Sequence, residues 1–181
     1  FHSPPHTSER AAEKARDLAK LLASYAGRCR LYIVPFTQIQ TFLYEKVQHS
    51  KLTLLLKRAM LRISNQIADK EGAGCLITGD SVGQVASQTV KGLEAVNSAS
   101  RLPILRPLAT MDKQQIIDVS RKIGAYPISI RPYDDCCTLF VAKHPESKPK
   151  ASVIEGIESR FHELAKMYET ASALSEIVDY N

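Results

Sequence analysis

The chain has 181 residues, with 24 Lys and Arg against 19 Asp and Glu, which gives a formal net charge of +5 at pH 7. Hydrophobic residues make up 44% of the sequence, a globular composition that excludes a disordered chain. No apolar run approaches the roughly 20 residues of a membrane helix. The positive surplus suits RNA or a nucleotide as a partner, although a solvated basic surface explains it equally well.

The four cysteines are too few and too unevenly spaced for a disulfide framework. No signal peptide opens the chain. We therefore expect one domain in the cytoplasm, with reduced thiols and no membrane contact.

The first half of the chain is predicted to form a helix, a strand and two more helices, over residues 8–27, 31–34, 39–47 and 51–70. Thr7 or Ser8 can cap the first helix, and Gly27 ends it. The long helix over 51–70 has one apolar face and one basic face.

The second half repeats the alternation, with strands at 75–78 and 103–108, a helix from about residue 87, another over 112–124, and a last helix. Asp112 and Gln115 have the spacing of a capping box. The apolar positions of the last helix run from Ile154 to Tyr168.

Strands that alternate with helices predict an α/β fold with a doubly wound parallel sheet. In such sheets, ligands bind beyond the carboxyl ends of the strands. The loops at 1–8, 35–37, 79–87 and 131–137 are therefore the candidates for chemistry.

The segment 78–88 follows a predicted strand and leads into a helix. It contains Gly79 and Gly83, and a helix N-terminus with open backbone N–H groups can bind an anion. The spacing is neither a Walker A motif nor a dinucleotide fingerprint. A glycine-bent connection without a ligand explains it equally well.

Cys136 and Cys137 are adjacent in a polar loop at the predicted ligand end of the sheet. Two thiols there suggest a reactive sulfur, with Asp134 and Asp135 raising the thiol pKa and basic neighbours lowering it. Structural cysteines are the main alternative. A zinc site that adds Cys75 and His144 is another, although the usual ligand spacing is missing.

The basic face of the long helix carries Lys57, Arg58 and Arg62. Such a face is usually solvated. It binds phosphate only if Lys57 or Arg58 reaches the Gly79 loop.

Four strings resemble the tRNA 4-thiouridine synthase family, ThiI. In chain order they are FHSPPHTSER at 1–10, TGDSVGQVASQT at 78–89, RPLATMDK at 106–113 and ISIRPYDDCCT at 128–138. The match runs from Phe1 to about Lys150, and more loosely through the last helix.

The resemblance implies an adenine-nucleotide α-hydrolase-like fold of the PP-loop ATPase type. It implies that ATP and Mg²⁺ serve to adenylate uridine 8 of tRNA, and that persulfide sulfur from a cysteine desulfurase then displaces AMP. The same sulfur can supply the thiazole of thiamine. Residues 1–181 would be a partial PP-loop domain, with 151–181 as a C-terminal helical extension.

Carried over by motif, Phe1 would border the adenine, Lys57 would bind the nucleotide, and Gly79 and Gln88 would line it. Cys137 matches the sulfur-carrying cysteine. The family's PP-loop and first strand would lie upstream of Phe1, so we expect weak thiolation activity or none from this chain alone, and a homodimer through exposed sheet edges. The alternatives are a non-catalytic nucleotide- or RNA-binding fragment of the same fold and a structural or dimerisation fragment.

Overall fold

A computed structural model describes residues 1–83, 88–133 and 145–181. Its helices are α1 (Glu9–Ala26), α2 (Thr37–Lys46), α3 (His49–Glu71), α4 (Val90–Asn97), α5 (Lys113–Lys122), α6 (Tyr126–Ser129), α7 (Ala151–Glu158) and α8 (Glu163–Ala173). Its strands are β1 (Cys29–Ile33), β2 (Leu76–Ile77), β3 (Ile104–Leu105) and β4 (Glu176–Tyr180).

The helix ends follow the capping signals in the sequence. The Ser8 hydroxyl accepts a hydrogen bond from the Ala11 N–H at 3.3 Å, and Gly27 ends α1 with a φ of 78°, a left-handed conformation that favours glycine. Asp112 and Gln115 form the predicted capping box at the start of α5. The prediction of these boundaries is confirmed.

The strands form two short ladders. β2 and β3 pair in parallel, with Leu76 opposite Ile104, as the alternation of strands and helices predicts. β1 pairs antiparallel with β4 over five residues, from Cys29–Tyr180 to Ile33–Glu176. β4 was not predicted from the sequence, because its polar residues Glu176 and Asp179 are three positions apart, with Ile177 and Val178 between them, so the segment lacks the strict alternation of a half-buried strand.

A slot separates the two ladders. The cavity there has a volume of about 390 Å³ and is lined by β1, β2, the Phe1 ring and the inner side of α3, including Tyr32, Val34, Ile67 and Leu76. Next to it, His2 bridges in parallel to Pro35. The slot thus lies between residues of β1 and β2.

Helix α3 runs through the centre of the core. Leu52, Leu55 and Ile63 on this helix are almost completely buried, against Phe36 and Leu43 around α2. The helix is buried on several sides, because α2, α4, α7 and α8 all pack against it.

The C-terminal region joins this core. We predicted one last helix, and this is wrong: the structure has α7 and α8 with a break between Glu158 and Glu163. The break lets Ile154 and Leu164 enter the same core cluster from two directions. Residues 151–181 therefore contain two helices and β4 instead of helix alone.

No helix among the residues described combines the length and the hydropathy needed to cross a membrane.

Candidate functional site

One carboxylate, that of Asp80, connects four side chains at the carboxyl end of β2. The Lys57 ammonium donates to Oδ1 at 3.0 Å, and the Thr78 hydroxyl donates to Oδ2 at 2.8 Å. The Gln88 amide nitrogen lies 3.3 Å from Oδ1, and Arg106 Nε lies 3.3 Å from Oδ2. We call these five residues the Asp80 cluster.

Four different parts of the fold supply the cluster. Lys57 comes from α3, Asp80 follows β2, Arg106 follows β3, and Gln88 precedes α4. Because β2 and β3 are parallel, the residues that follow them emerge at the same edge. This is the edge at which α/β sheets bind ligands, as the sequence analysis predicts.

The cluster is partly shielded from solvent and carries a positive surplus. The side chains of Asp80 and Arg106 are each 12% exposed, and that of Lys57 is 21% exposed. Burial by itself would raise the pKa of the Asp80 carboxyl, but the Lys57 charge and the hydrogen bonds from Lys57 and Thr78 outweigh it and lower this pKa below its ordinary value. Asp80 is therefore ionised at neutral pH, and two cations face one anion.

The backbone beside Asp80 is open and well anchored. A Cβ on Gly79 would meet no atom of the described residues within 4 Å, so a ligand can approach this main chain closely. The neighbouring Ser81 is buried, and its hydroxyl donates to the Met111 carbonyl at 2.9 Å. The Val82 N–H bonds the Ala109 carbonyl at 3.0 Å.

Among the residues predicted to bind nucleotide, the structure brings together Lys57 and Gln88 around Asp80, next to Gly79. Phe1 stands apart: the residue is 38% exposed, and its ring packs edge-on against that of Phe36, with 5.1 Å between the ring centroids. Within the described ranges, no hydrogen bond, ion pair or ring contact joins Phe1 to the Asp80 cluster.

Cys136 and Cys137 lie outside the described residues, as do the Asp134, Asp135 and His144 side chains considered with them. The described chain on either side of them is firmly attached. On the N-terminal side, the Lys14 ammonium donates to the Tyr133 carbonyl at 3.0 Å, and Arg131 pairs with Asp17. Helix α1 thus holds the chain that leads to the cysteines.

We call residues 134–144, which include Cys136 and Cys137, the cysteine segment. The chain that follows this segment lies beside the Asp80 cluster. The Glu146 N–H donates to the Ser50 carbonyl at 2.9 Å, at the start of α3. The Thr89 hydroxyl donates to the Ser147 carbonyl at 2.7 Å. Since Thr89 follows Gln88, the chain that leaves the cysteine segment passes directly beside the cluster.

The sequence placed Arg58 on a basic face of the kind that is usually solvated. The structure shows instead that Arg58 is buried. It is 1% exposed, and it donates to Glu158 Oε2 from Nη2 at 2.6 Å, to the Ser98 hydroxyl at 2.6 Å and to the Ala95 carbonyl. Lys57 and Arg58 are consecutive on a helix, so they point in different directions. Lys57 reaches the cluster, and Arg58 joins α3 to α4 and α7.

Asp80, Thr78 and Arg106 belong to the site but were not predicted from the sequence as members of it. Asp80 was part of the quoted 78–89 string, and Arg106 opened the 106–113 string. The available signal was a charged residue near the carboxyl end of each of the two predicted strands, Asp80 just beyond the strand at 75–78 and Arg106 in the last part of the strand at 103–108.

Metal ligands do not converge in the described part of the chain. No three His, Cys, Asp or Glu side chains there form a group that could hold a metal ion. Both oxygens of Asp80 already accept hydrogen bonds from the cluster. These residues do not fit a Mg²⁺ site, and three of the four residues of the zinc alternative lie outside the described ranges.

Comparisons with known proteins give one consistent result. A probable tRNA sulfurtransferase of Agathobacter rectalis is 48% identical over 179 residues, covering 98% of this chain and 45% of that protein. One of Acetivibrio thermocellus is 52% identical over 162 residues, covering 90% of this chain and 41% of that protein. The chain thus spans less than half the length of these relatives.

The crystal structure of a 4-thiouridine synthetase in complex with RNA and bound ATP superposes with a TM-score of 0.94 at 35% identity, over 100% of this chain and 47% of that one. The predicted PP-loop ATPase-type α/β fold is confirmed by this match. The family model described as thiamine biosynthesis protein (ThiI) matches residues 1–163. With this match and relatives near 50% identity, the chain belongs to the ThiI family.

Proposed function

We propose that this chain is the nucleotide-binding and sulfur-carrying part of an ATP-dependent tRNA sulfurtransferase. The enzyme adenylates uridine 8 of tRNA and replaces its oxygen with sulfur to give 4-thiouridine, and the same sulfur supplies thiamine thiazole synthesis. The observation that carries the proposal is the Asp80 cluster, which lies beside the C-terminal flank of the cysteine segment. The whole of this chain matches part of an ATP-bound thiouridine synthetase.

The nucleotide binds at the carboxyl edge of β2. Lys57 places a positive charge next to the phosphates, and that charge stabilises the negative charge that grows as adenylation proceeds. Gly79 lets the nucleotide approach the main chain, Gln88 lines it, and Phe1 borders the adenine. Mg²⁺ would be held by the phosphates of ATP, and we assign none of the described residues as its ligand.

Cys137 carries the sulfur. A cysteine desulfurase converts its thiol to a persulfide, whose terminal sulfur bonds to C4 of the adenylated uridine while AMP leaves. Two equivalents of thiol then break the remaining S–S bond: the first releases 4-thiouridine and the second restores Cys137, with a disulfide of the two thiols as the oxidised product. The two thiols thus supply the two electrons that reduce the transferred sulfur, and they are themselves oxidised to the disulfide.

The partners follow from this chemistry. They are tRNA and a cysteine desulfurase. Independently of the chemistry, the exposed edges of the two ladders favour a second copy of the chain in a homodimer. Such a reaction takes place in the cytoplasm, where thiols stay reduced. With under half the length of its relatives, the chain alone should thiolate tRNA weakly or not at all.

The test is the sulfur load of the cysteine segment. We would incubate the protein with a cysteine desulfurase and cysteine, and then measure intact and peptide-mapped mass. One added sulfur atom is expected on the peptide that contains Cys137, lost in Cys137→Ser.

Cys136→Ser is the matched control, because it removes the adjacent thiol and leaves the rest of the peptide unchanged. It should load as the wild type does. Loading abolished in Cys136→Ser and kept in Cys137→Ser would move the carrier role to Cys136. No sulfur on either cysteine, in protein with an intact circular dichroism spectrum, would contradict the carrier function and favour a fragment that only binds nucleotide or RNA.

A further inference from the structure

We propose that Arg106 is a second phosphate-binding cation of this site and acts together with Lys57. This inference rests on the proposed function, because it assumes that the Asp80 cluster binds the nucleotide. It adds a residue from a different part of the chain, and it names the ligand chemistry as the di- or triphosphate group.

The Asp80 carboxylate brings the two cations to one place. Lys57 bonds Oδ1 at 3.0 Å, and Arg106 Nε bonds Oδ2 at 3.3 Å. The oxygens of one carboxylate are about as far apart as two oxygens of a phosphate, so cations that share Asp80 are spaced for a polyphosphate.

Arg106 is also held from its other side. Its Nη2 donates to the Asn97 side-chain oxygen at 2.5 Å, at the C-terminal end of α4. Two anchored nitrogens fix the plane of the guanidinium, while within the described ranges Nη1 has no hydrogen-bond partner. A guanidinium fixed in this way loses little side-chain entropy when it binds an anion.

The charges of the cluster favour an anion. Lys57 and Arg106 carry two positive charges against the single negative charge of Asp80, and the other members, Thr78 and Gln88, are neutral. Because Arg106 is only 12% exposed, water compensates its charge poorly, and a phosphate oxygen gains more there than at the surface. The cluster is therefore short of one negative charge.

A purely structural role is the competing explanation, in which Arg106 only ties Asp80 to α4 through Asn97. The two roles differ in what they do to binding. A phosphate ligand contributes to the affinity for ATP and nothing to that for adenosine, whereas a structural residue affects both equally.

The experiment measures the dissociation constants of ATP and adenosine by calorimetry, for the 181-residue protein and for Arg106→Gln and Arg106→Lys. We expect Arg106→Gln to weaken ATP binding at least tenfold and to leave adenosine binding unchanged. Arg106→Lys should restore part of the loss, because it keeps the charge without the planar fork. Arg101→Gln is the matched control, because Arg101 is exposed and pairs with Asp69, away from the cluster.

ATP affinity at the wild-type level in Arg106→Gln would overturn the inference and leave the proposed function intact. An equal loss of ATP and adenosine binding in both variants would also overturn it, in favour of the structural role. If Arg106→Gln does not fold, the ratio of ATP to adenosine affinity in Arg106→Lys decides, and a ratio equal to that of the wild type overturns the inference. Absence of ATP binding by the wild type would overturn the inference and the proposed function together.

Discussion

Asp80 shows how much a single carboxylate can organise. It accepts hydrogen bonds from Lys57 on α3, from Arg106 after β3 and from Gln88 before α4. The ionised carboxylate therefore holds these three parts of the fold next to one another. The exposed acids of the surface differ from it, because their partners are solvated and contribute little. Asp80, which the sequence motifs did not single out, is therefore central to the geometry of the site.

Replacement of Asp80 by Asn should lower the free energy of unfolding at neutral pH by about 2 kcal/mol, since Lys57 and Arg106 lose their shared partner. The pKa of Asp80 lies below its ordinary value of 3.8 in the folded protein. Its contribution is therefore complete above that value and is lost as the pH falls through the folded pKa. Urea unfolding from about pH 7 down to pH 3 would measure it.

The control is Asp118→Asn, an exposed carboxylate 3.6 Å from Arg121, which should change stability by less than about 0.5 kcal/mol. A constant difference between wild type and Asp80→Asn across the acidic range would contradict the assigned charge of Asp80.

Three helices meet at the buried Arg58. Its guanidinium bonds Glu158 at the end of α7, and the Ala95 carbonyl and Ser98 hydroxyl at the end of α4. Since α4 begins directly after Gln88 and Thr89, this contact also fixes the helix beside the Asp80 cluster. The sequence predicts the helices themselves, but not the buried polar contact that joins them, which links residues 37 to 100 positions apart.

Arg58→Met should cost about 3–5 kcal/mol, because Glu158 and the two acceptors at the end of α4 lose a buried donor. Arg62→Met removes a neighbouring cation that bonds the same Glu158 oxygen at 3.3 Å but is 43% exposed. It should cost less than about 1 kcal/mol. Chemical denaturation of both variants compares the buried with the exposed arginine, and equal losses would argue against the buried network.

On the scale of the whole molecule, the two ladders leave apolar surface uncovered. Ile77 and Leu105 are 69% and 51% exposed on β2 and β3, and the slot beside β1 is open. The far edge of β1 is covered by β4, where Arg30 bonds Asp179 at 2.6 Å and Glu71 at 3.0 Å. The last residues of the chain thus protect a sheet edge.

Removal of residues 175–181 should destabilise the protein and promote association, because it exposes the edge of β1. Thermal unfolding and light scattering after size exclusion would show a lower Tm and a larger mass. Arg30→Gln is the control, since it removes the exposed ion pairs and keeps the ladder, and we expect its Tm and mass to stay close to those of the wild type. A truncated protein with wild-type Tm and mass would mean that β4 does not protect the edge.

The sequence by itself determined the order of most helices and strands, the caps at Ser8, Gly27 and Asp112, and the four motif strings that indicate the family. These features are local, because periodicity, capping and motif spacing act within a few turns of chain. The resemblance predicts a nucleotide-binding role for Lys57, Gly79 and Gln88, and the structure places Lys57 and Gln88 around the Asp80 carboxylate, next to Gly79.

Only the tertiary structure decided that Asp80 joins Lys57 to Arg106, that Arg58 is buried, that the last helix breaks in two and that β4 pairs with β1. Each depends on residues far apart in sequence: Arg106 is 26 positions from Asp80, and Glu158 is 100 from Arg58. Burial and pairing over such separations are set by how the elements pack, and a charge next to a strand looks the same in sequence whether it faces water or another charge.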